Sequence, residues 1–400
     1  MEKTILPAAP WRRQPGVDRL AAALGPGHAR FVGGAVRDTL LGLPVTDVDV
    51  ATPHAPEQVV ALLEGAGIKA VPTGIAHGTI TAVSSGTVIE VTTLRRDVST
   101  DGRRATVAFT DDWREDAARR DFTINALYAD PQTGEIVDYF GGLADLAARH
   151  IRFIGDPLQR IAEDHLRILR FFRFLARFGD TPDTEALEAC TARANDLMAL
   201  SRERIRDELL KLLVAPDAVR VLRLMVERDI LRPVVPEIDG AGVERLARLA
   251  LLEADAGLPP MAIRRLAALL PPEPAANDAV GARLKLSNVE RQALASAITP
   301  GLAEGAKALA YRIGSERAAD RLLIAGDASA AWVAATWTPP RLPLSGGALI
   351  GRGLSKGPDV AKALRRIEDR WVAEGFPDAD RAGQIADAVV ADLLSGDSSA

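Results

Sequence analysis

The sequence predicts an α+β chain, a small α/β head followed by a long helical remainder. Runs rich in Val, Ile and Thr alternate with helical stretches up to about residue 145. Beyond that point almost everything reads as Ala/Leu/Arg helix, broken at 258–260, 271–278 and 337–347 by proline-rich stretches. Within the head, Asp47 and Asp49 stand one residue apart on an otherwise apolar strand.

In order, RFVGG (30–34) reads as a strand running into a turn, AVRDTLLG as helix and TDVDVAT (46–52) as strand. APEQVVALLEGAG is an amphipathic helix, and KAVPTGIAHGTITAV and TVIEVTTLR supply further strands. From Arg96 to Asp112 polar residues and glycine dominate, predicting a long loop of the kind that is usually functional or mobile. After GEIVDYFGGLADL the texture turns helical. DPLQRIAEDHLRILRFFRFLARFG (156–179) has Ile161, Leu166, Ile168, Leu169, Phe172 and Leu175 at helical spacing and reads as one helix.

Composition narrows the class. With 400 residues the chain exceeds one ordinary core, which predicts about two to four domains. Apolar content of 48% with 26% charged residues is that of a soluble globular protein, and no apolar run is long enough to span a membrane. The start lacks the apolar core of a signal peptide. Cys190 is the one cysteine, which excludes an internal disulfide and a cysteine-based zinc site and fits a reducing cytoplasm. The net charge of −5 argues against a uniformly basic nucleic-acid coat but leaves room for one basic face.

Side chains at i and i+2 of a strand point the same way, so Asp47 and Asp49 form a repelling pair that calls for a cation. Magnesium answers it, because it takes oxygen ligands from one or two carboxylates plus substrate phosphates. Glu90, on a later strand, is either a third catalytic carboxylate able to complete the site or an ordinary strand-end charge. Gly33-Gly34 closes a strand and opens a helix, where backbone N–H groups face a bound anion. No G-x-G-x-x-G pattern is present, which disfavours a dinucleotide-binding oxidoreductase. In ARRDFTINAL (118–127), Arg119 and Arg120 suit phosphate oxygens, while Asp121 reads equally well as the N-cap of a helix. Asp164 and Arg167 form an i, i+3 pair on a helix, either a surface ion pair or a base-reading pair. A carboxylate accepts from the exocyclic amine of cytosine or adenine and a guanidinium donates to ring acceptors. Arg170, Arg173 and Arg177 continue as a basic stripe beside Phe171, Phe172, Phe174 and Phe178, which read as core.

GGAVRD, DVD, ARRDFTINAL, DPLQRIAEDHLRILRFFRF and SRERIRDELLKLL (201–213), in that order and spacing, resemble the bacterial-type (class II) tRNA nucleotidyltransferases. That family comprises CCA-adding enzymes and bacterial poly(A) polymerases, and the likeness is strong over roughly the first 215 residues. The segment 343–377 also looks like the family's C-terminal part, with Ala348 where an acidic residue is common.

The resemblance implies a polymerase-beta-like nucleotidyltransferase head with a mixed sheet (26–145) after an N-terminal extension (1–25). A helical neck (146–215), body (216–280) and tail (281–400) would follow. Asp47 and Asp49 would hold catalytic Mg2+, and Gly33, Gly34 and Arg37 with Arg119 or Arg120 would hold the triphosphate. Asp121 and Asn125 would contact ribose or brace the pocket. Asp164 and Arg167, oriented by Glu163 and followed by Arg170, would select CTP and ATP. Asp156 and Arg160 would form a hinge between head and neck, and RDVSTDGRRATVAF (96–109) matches the loop that A addition needs. The expected reaction is template-free addition of C, C and A to the 3′ end of tRNA. The rivals are a poly(A) polymerase, an A-only enzyme and, from another class, a non-catalytic RNA-binding protein. No basic motif of the poly(A) polymerase type follows the neck, and no His-Asp phosphohydrolase signature occurs. Arg352 and Lys356, in GRGLSKGPD, are a candidate phosphate contact or a plain turn.

Overall fold

The computed structural model describes residues 4–101, 104–299 and 305–396. They form two compact units, the first ending at Pro236 and the second beginning at Glu237.

The first unit is built on a sheet of seven strands. In chain order these are β1 (Arg30–Val32), β2 (Val48–Thr52), β3 (Lys69–Gly74), β4 (Thr79–Ser84) and β5 (Thr87–Thr93). A separate ribbon, β6 (Arg95–Asp101) with β7 (Arg104–Phe109), comes next, and β8 (Leu127–Ala129) and β9 (Ile136–Asp138) complete the sheet. Its order is β3-β4-β5-β2-β1-β8-β9, and β2 and β5 run parallel while the other neighbours are antiparallel. The sheet is therefore mixed, as expected. Alternate residues of the central strands, Val50, Ile80, Ile89 and Val91, are buried. Helix Pro15–Leu24 packs against β4 and buries Val17, Leu20 and Leu24. It approaches so closely that a Cβ on Gly16 would lie 2.1 Å from the carbonyl oxygen of Ser84.

Three expectations are corrected. The stretch 96–109 is a two-stranded antiparallel ribbon rather than a loop, with residues 102 and 103 outside the described ones. No helix starts at Asp121, because a single 3-10 turn, Thr123–Asn125, leads straight into β8. The segment 156–178 is two helices, Pro157–Glu163 and Arg167–Phe178. The first stops at Asp164, whose backbone is extended at φ −153° and ψ 106°. In the second, Phe171, Phe172, Phe174 and Phe178 are buried, as their spacing predicts.

The second unit is all helix among its described residues, from Gly240–Asp255 to Ala379–Gly396. Its core includes a buried four-charge cluster: Glu253 accepts from Arg264 at 2.9 Å and from Arg265 at 2.8 Å, and Arg264 also meets Asp320 at 2.6 Å. A second core gathers around Trp371, Ile367 and Val389. Among the described residues no helix is long and apolar enough to cross a membrane.

Candidate functional site

A cleft of about 490 Å³ opens in the first unit. Its floor is the turn between β1 and the helix Gly34–Leu40, where Gly33 takes φ 68° and ψ −126°, a conformation that glycine adopts without strain. Asp49, on β2, lines one side. The parallel register places Asp49 opposite Glu90 on β5, and Asp47 immediately precedes β2. Asp49 is half-buried, whereas Asp47 and Glu90 are exposed. Burial, with Glu90 and Asp47 adding to it and Arg120 only partly offsetting it, pushes the Asp49 carboxyl up to about 6. The pair holds more negative charge than its surroundings neutralise. That donor set, hard oxygen ligands with a surplus of negative charge, fits a divalent cation. Among the described residues, however, no group of three or more His, Cys, Asp or Glu is assembled to hold a metal, so Glu90 does not complete a ready-made cage.

The same cleft is lined by arginines held by acids. Helix Trp113–Ala118 buries Asp116, which receives Arg119 at 2.9 Å, Arg120 at 3.1 Å and the Tyr128 hydroxyl at 2.6 Å. Burial alone would raise the Asp116 carboxyl, but Arg120, Arg119 and Tyr128 outweigh it and hold it down at about 2. The backbone N–H of Arg95, where the ribbon begins, donates to the same carboxylate at 3.3 Å. Asp121 accepts from Arg170 at 2.7 Å, from Asn125 at 2.9 Å and from the Phe122 N–H at 2.9 Å. Against the cost of burial, these partners hold its carboxyl below the usual range.

Arg37 lines the cleft, but its donors engage Asn125 at 2.5 Å and Asp38 at 2.8 Å, and its guanidinium stacks 4.3 Å over Phe178. Arg119 and Arg120 also line the cleft, and the Nη1 of Arg120 reaches to within 3.7 Å of where a Cβ on Gly33 would stand.

Asp164 and Arg167 both line the cleft, yet the expected i, i+3 pair between them does not form, because the helix breaks between them. Arg167 turns to Glu163 at 2.5 Å and to the carbonyls of Arg160 at 2.9 Å and Arg119 at 3.1 Å. Glu163 also holds Arg160 at 2.6 Å, and Arg160 donates to the Ala118 carbonyl at 3.1 Å. Asp156 caps helix Pro157–Glu163 by accepting from the Gln159 N–H at 2.7 Å. The stripe is likewise partnered within the chain: Arg173 meets Glu208 at 2.5 Å, and Arg177 lies 4.0 Å from Asp38. The site thus gathers Gly33, Gly34, Arg37, Asp49, Arg119, Arg120, Asp121, Asn125, Asp164, Arg167 and Arg170 around one opening. Sequence reasoning missed Asp116, Tyr128, Arg95, Arg204 and Glu208. Only Asp116 carried a local signal, its i, i+3 and i, i+4 spacing to the two arginines.

Comparison with known proteins decides the family. Residues 29–152 match the model of the poly(A) polymerase head domain, and 181–241 match that of the probable RNA- and SrmB-binding site of polymerase A. The mitochondrial CCA tRNA nucleotidyltransferase 1 of Homo sapiens is 35% identical over 367 residues, 87% of this chain and 83% of that protein. The chain belongs to the tRNA nucleotidyltransferase and poly(A) polymerase family. A CCA-adding enzyme of Anoxybacillus flavithermus is 41% identical over 207 residues, 51% of each chain. The structure of the Bacillus stearothermophilus CCA-adding enzyme in complex with CTP superposes with a TM-score of 0.66 at 27% identity, covering 97% of this chain and 100% of that one. As a nucleotidyltransferase of this family the enzyme depends on a divalent metal. Arg352, a candidate phosphate contact or part of a plain turn, engages Asp387 at 2.7 Å and the Ala348 carbonyl at 3.0 Å.

Proposed function

We propose that the enzyme adds C, C and A to the 3′ end of tRNA from CTP and ATP, releasing pyrophosphate each time. One observation carries this reading: Asp49, whose neighbours leave surplus negative charge, lines one cleft together with Arg119, Arg120, Asp164 and Arg167. A nucleoside triphosphate is the substrate whose charged and base-pairing ends match those groups.

Asp47 and Asp49 would hold Mg2+, with Glu90 beside them. A bound cation supplies activation of the attacking 3′-hydroxyl and neutralisation of the leaving pyrophosphate. The chain's own groups do the rest. Arg119 and Arg120, fixed by Asp116, offer donors to the triphosphate, where the transition state gathers charge. The Gly33-Gly34 turn lines the same opening, with the Gly33 N–H donated to the Leu127 carbonyl at 3.4 Å. Arg37, Asp121 and Asn125 brace this wall, because their polar atoms already bond one another, Asp38 and Arg170. Asp164 accepts from the exocyclic amine of cytosine or adenine, and Arg167, held by Glu163, donates to the ring acceptors. Uracil and guanine present a carbonyl where Asp164 needs a donor. Asp156, which caps helix Pro157–Glu163, and Arg160, which donates to the Ala118 carbonyl, serve on this reading as the hinge.

On this reading the head (26–145) carries the chemistry and the neck (146–215) reads the base, leaving body (216–280) and tail (281–400) to hold tRNA. A cytoplasmic location is supported by the single cysteine, Cys190, which fits a reducing compartment.

Extension of tRNA lacking its CCA end, resolved to single nucleotides, tests the proposal. Two C residues with CTP alone, then one A with both nucleotides and a stop, are expected. A ladder of A residues identifies a poly(A) polymerase, and a stop after CC with ATP present identifies a partial enzyme.

A further inference from the structure

Asp164 is held from outside its own helix. Its Oδ2 accepts from the Nη2 of Arg204 at 2.7 Å, across 40 residues of sequence, and its Oδ1 accepts from the Leu166 N–H at 3.1 Å. Arg204 lies on helix Arg202–Leu213, which buries Ile205, Glu208, Leu209 and Leu212 and packs against helix Arg167–Phe178. Glu208, one turn beyond Arg204, meets Arg173 at 2.5 Å and Arg170 at 3.9 Å. One helix face therefore presents a cation to Asp164 and, a turn later, an anion to the two arginines that follow it. Arg167 needs no such help, since Glu163 and two carbonyls already fix it. Asp164 stands where the helix breaks, with an extended backbone, and without Arg204 its carboxylate keeps only the local Leu166 bond.

We propose that Arg204 is a positioning residue for nucleotide selection: its guanidinium fixes one oxygen of Asp164 so that the carboxylate stays aimed at the exocyclic amine of the incoming base. The inference rests on the base-reading role proposed for Asp164. An acceptor aimed in one direction rewards cytosine or adenine and leaves a uracil carbonyl opposed to a carboxylate oxygen, which is repulsive. A carboxylate free to rotate meets the amine less well and no longer opposes the carbonyl firmly. Arg204 thus acts through discrimination rather than through the chemical step.

The test is the ratio of kcat/KM for CTP over UTP on tRNA lacking its CCA end. It is measured for wild type, Arg204→Ala, Arg204→Gln, Asp164→Ala and the double variant Asp164→Ala/Arg204→Ala. The Gln variant keeps the side-chain length, so the question stays answerable if the alanine variant does not fold. Losses on the order of 10-fold in the ratio are expected in the Arg204 variants, because misplacement of a binding group is costly. Asp164→Ala should lose at least as much, and the double variant no more than Asp164→Ala alone. A wild-type ratio in both Arg204 variants, with the ratio lost in Asp164→Ala, overturns the role of Arg204 alone, as does an additive loss in the double variant. A wild-type ratio in Asp164→Ala removes the base-reading role itself, and the role of Arg204 with it.

Discussion

The two sides of the cleft use the same residue type to opposite ends. Asp49 is a half-buried aspartate and Asp116 a buried one, yet the first carboxyl is pushed up to about 6 and the second held at about 2. The difference lies in their neighbours. Asp49 has Glu90 and Asp47 close by and little positive charge, whereas Asp116 is clasped by Arg119, Arg120 and Tyr128. On the arginine side the acid is matched by guanidinium charge within the protein, with positive charge left over at Arg119 and Arg120; on the carboxylate side it is negative charge that is left over. The buried cluster in the second unit pairs two acids, Glu253 and Asp320, with two arginines, Arg264 and Arg265, and there burial still raises the Asp320 carboxyl. A buried acid with matched partners supports a fold, and one with surplus charge marks a place for a ligand.

The comparison breaks most visibly on substitution. Asp49→Asn should lower nucleotide addition on the order of 10³-fold while leaving thermal stability equal or slightly raised, because a repelling charge has gone. A clear drop in Tm would show that Asp49 is a structural acid like Asp116. Asp116→Asn should behave in the opposite way and destabilise the fold by about 3 kcal/mol, since it leaves arginines without their counter-charge. With it, KM for CTP and ATP should rise, and a variant with full stability would sink the contrast.

The pH dependence separates the two acids more finely. The folded protein holds the Asp49 proton more tightly than the unfolded chain does. Without metal, this stabilising contribution is present at acid pH and is lost as pH rises through about 6. Asp116 does the reverse, and its contribution disappears as pH falls from the ordinary carboxylate range towards about 2. Activity should therefore decline below pH about 6 as the Asp49 proton competes with the metal, a profile that Asp49→Asn cannot show. The smallest effect belongs to Glu163→Gln. Arg167 keeps its two carbonyl partners, so kcat/KM should fall only about 3-fold, a loss of one anchor among several. A loss of several hundred-fold would mean that the carbonyls contribute nothing.

What the sequence made legible was local. Gly33-Gly34, Asp47 with Asp49, and Arg119-Arg120-Asp121 could be read because each depends on spacing within a few residues. The ribbon 95–109 was hidden because its strands are Ser-, Thr- and charge-rich and lie outside the main sheet, so no apolar alternation marks them. The break at Asp164 was hidden because the residues around it continue a helical pattern, and its partner Arg204 is 40 residues away. Glu208 joins Arg173 across 35 residues for the same reason. Pairings that hold a functional group in place are long-range and leave no period to detect.

Proton release on metal binding tests the charge asymmetry most directly. With Mn2+ added to the nucleotide-free enzyme near pH 5, wild type should release about one proton per site as the cation displaces it from Asp49, and Asp49→Asn should release none. Metal binding to wild type without proton release, or equal release from both proteins, would contradict the account.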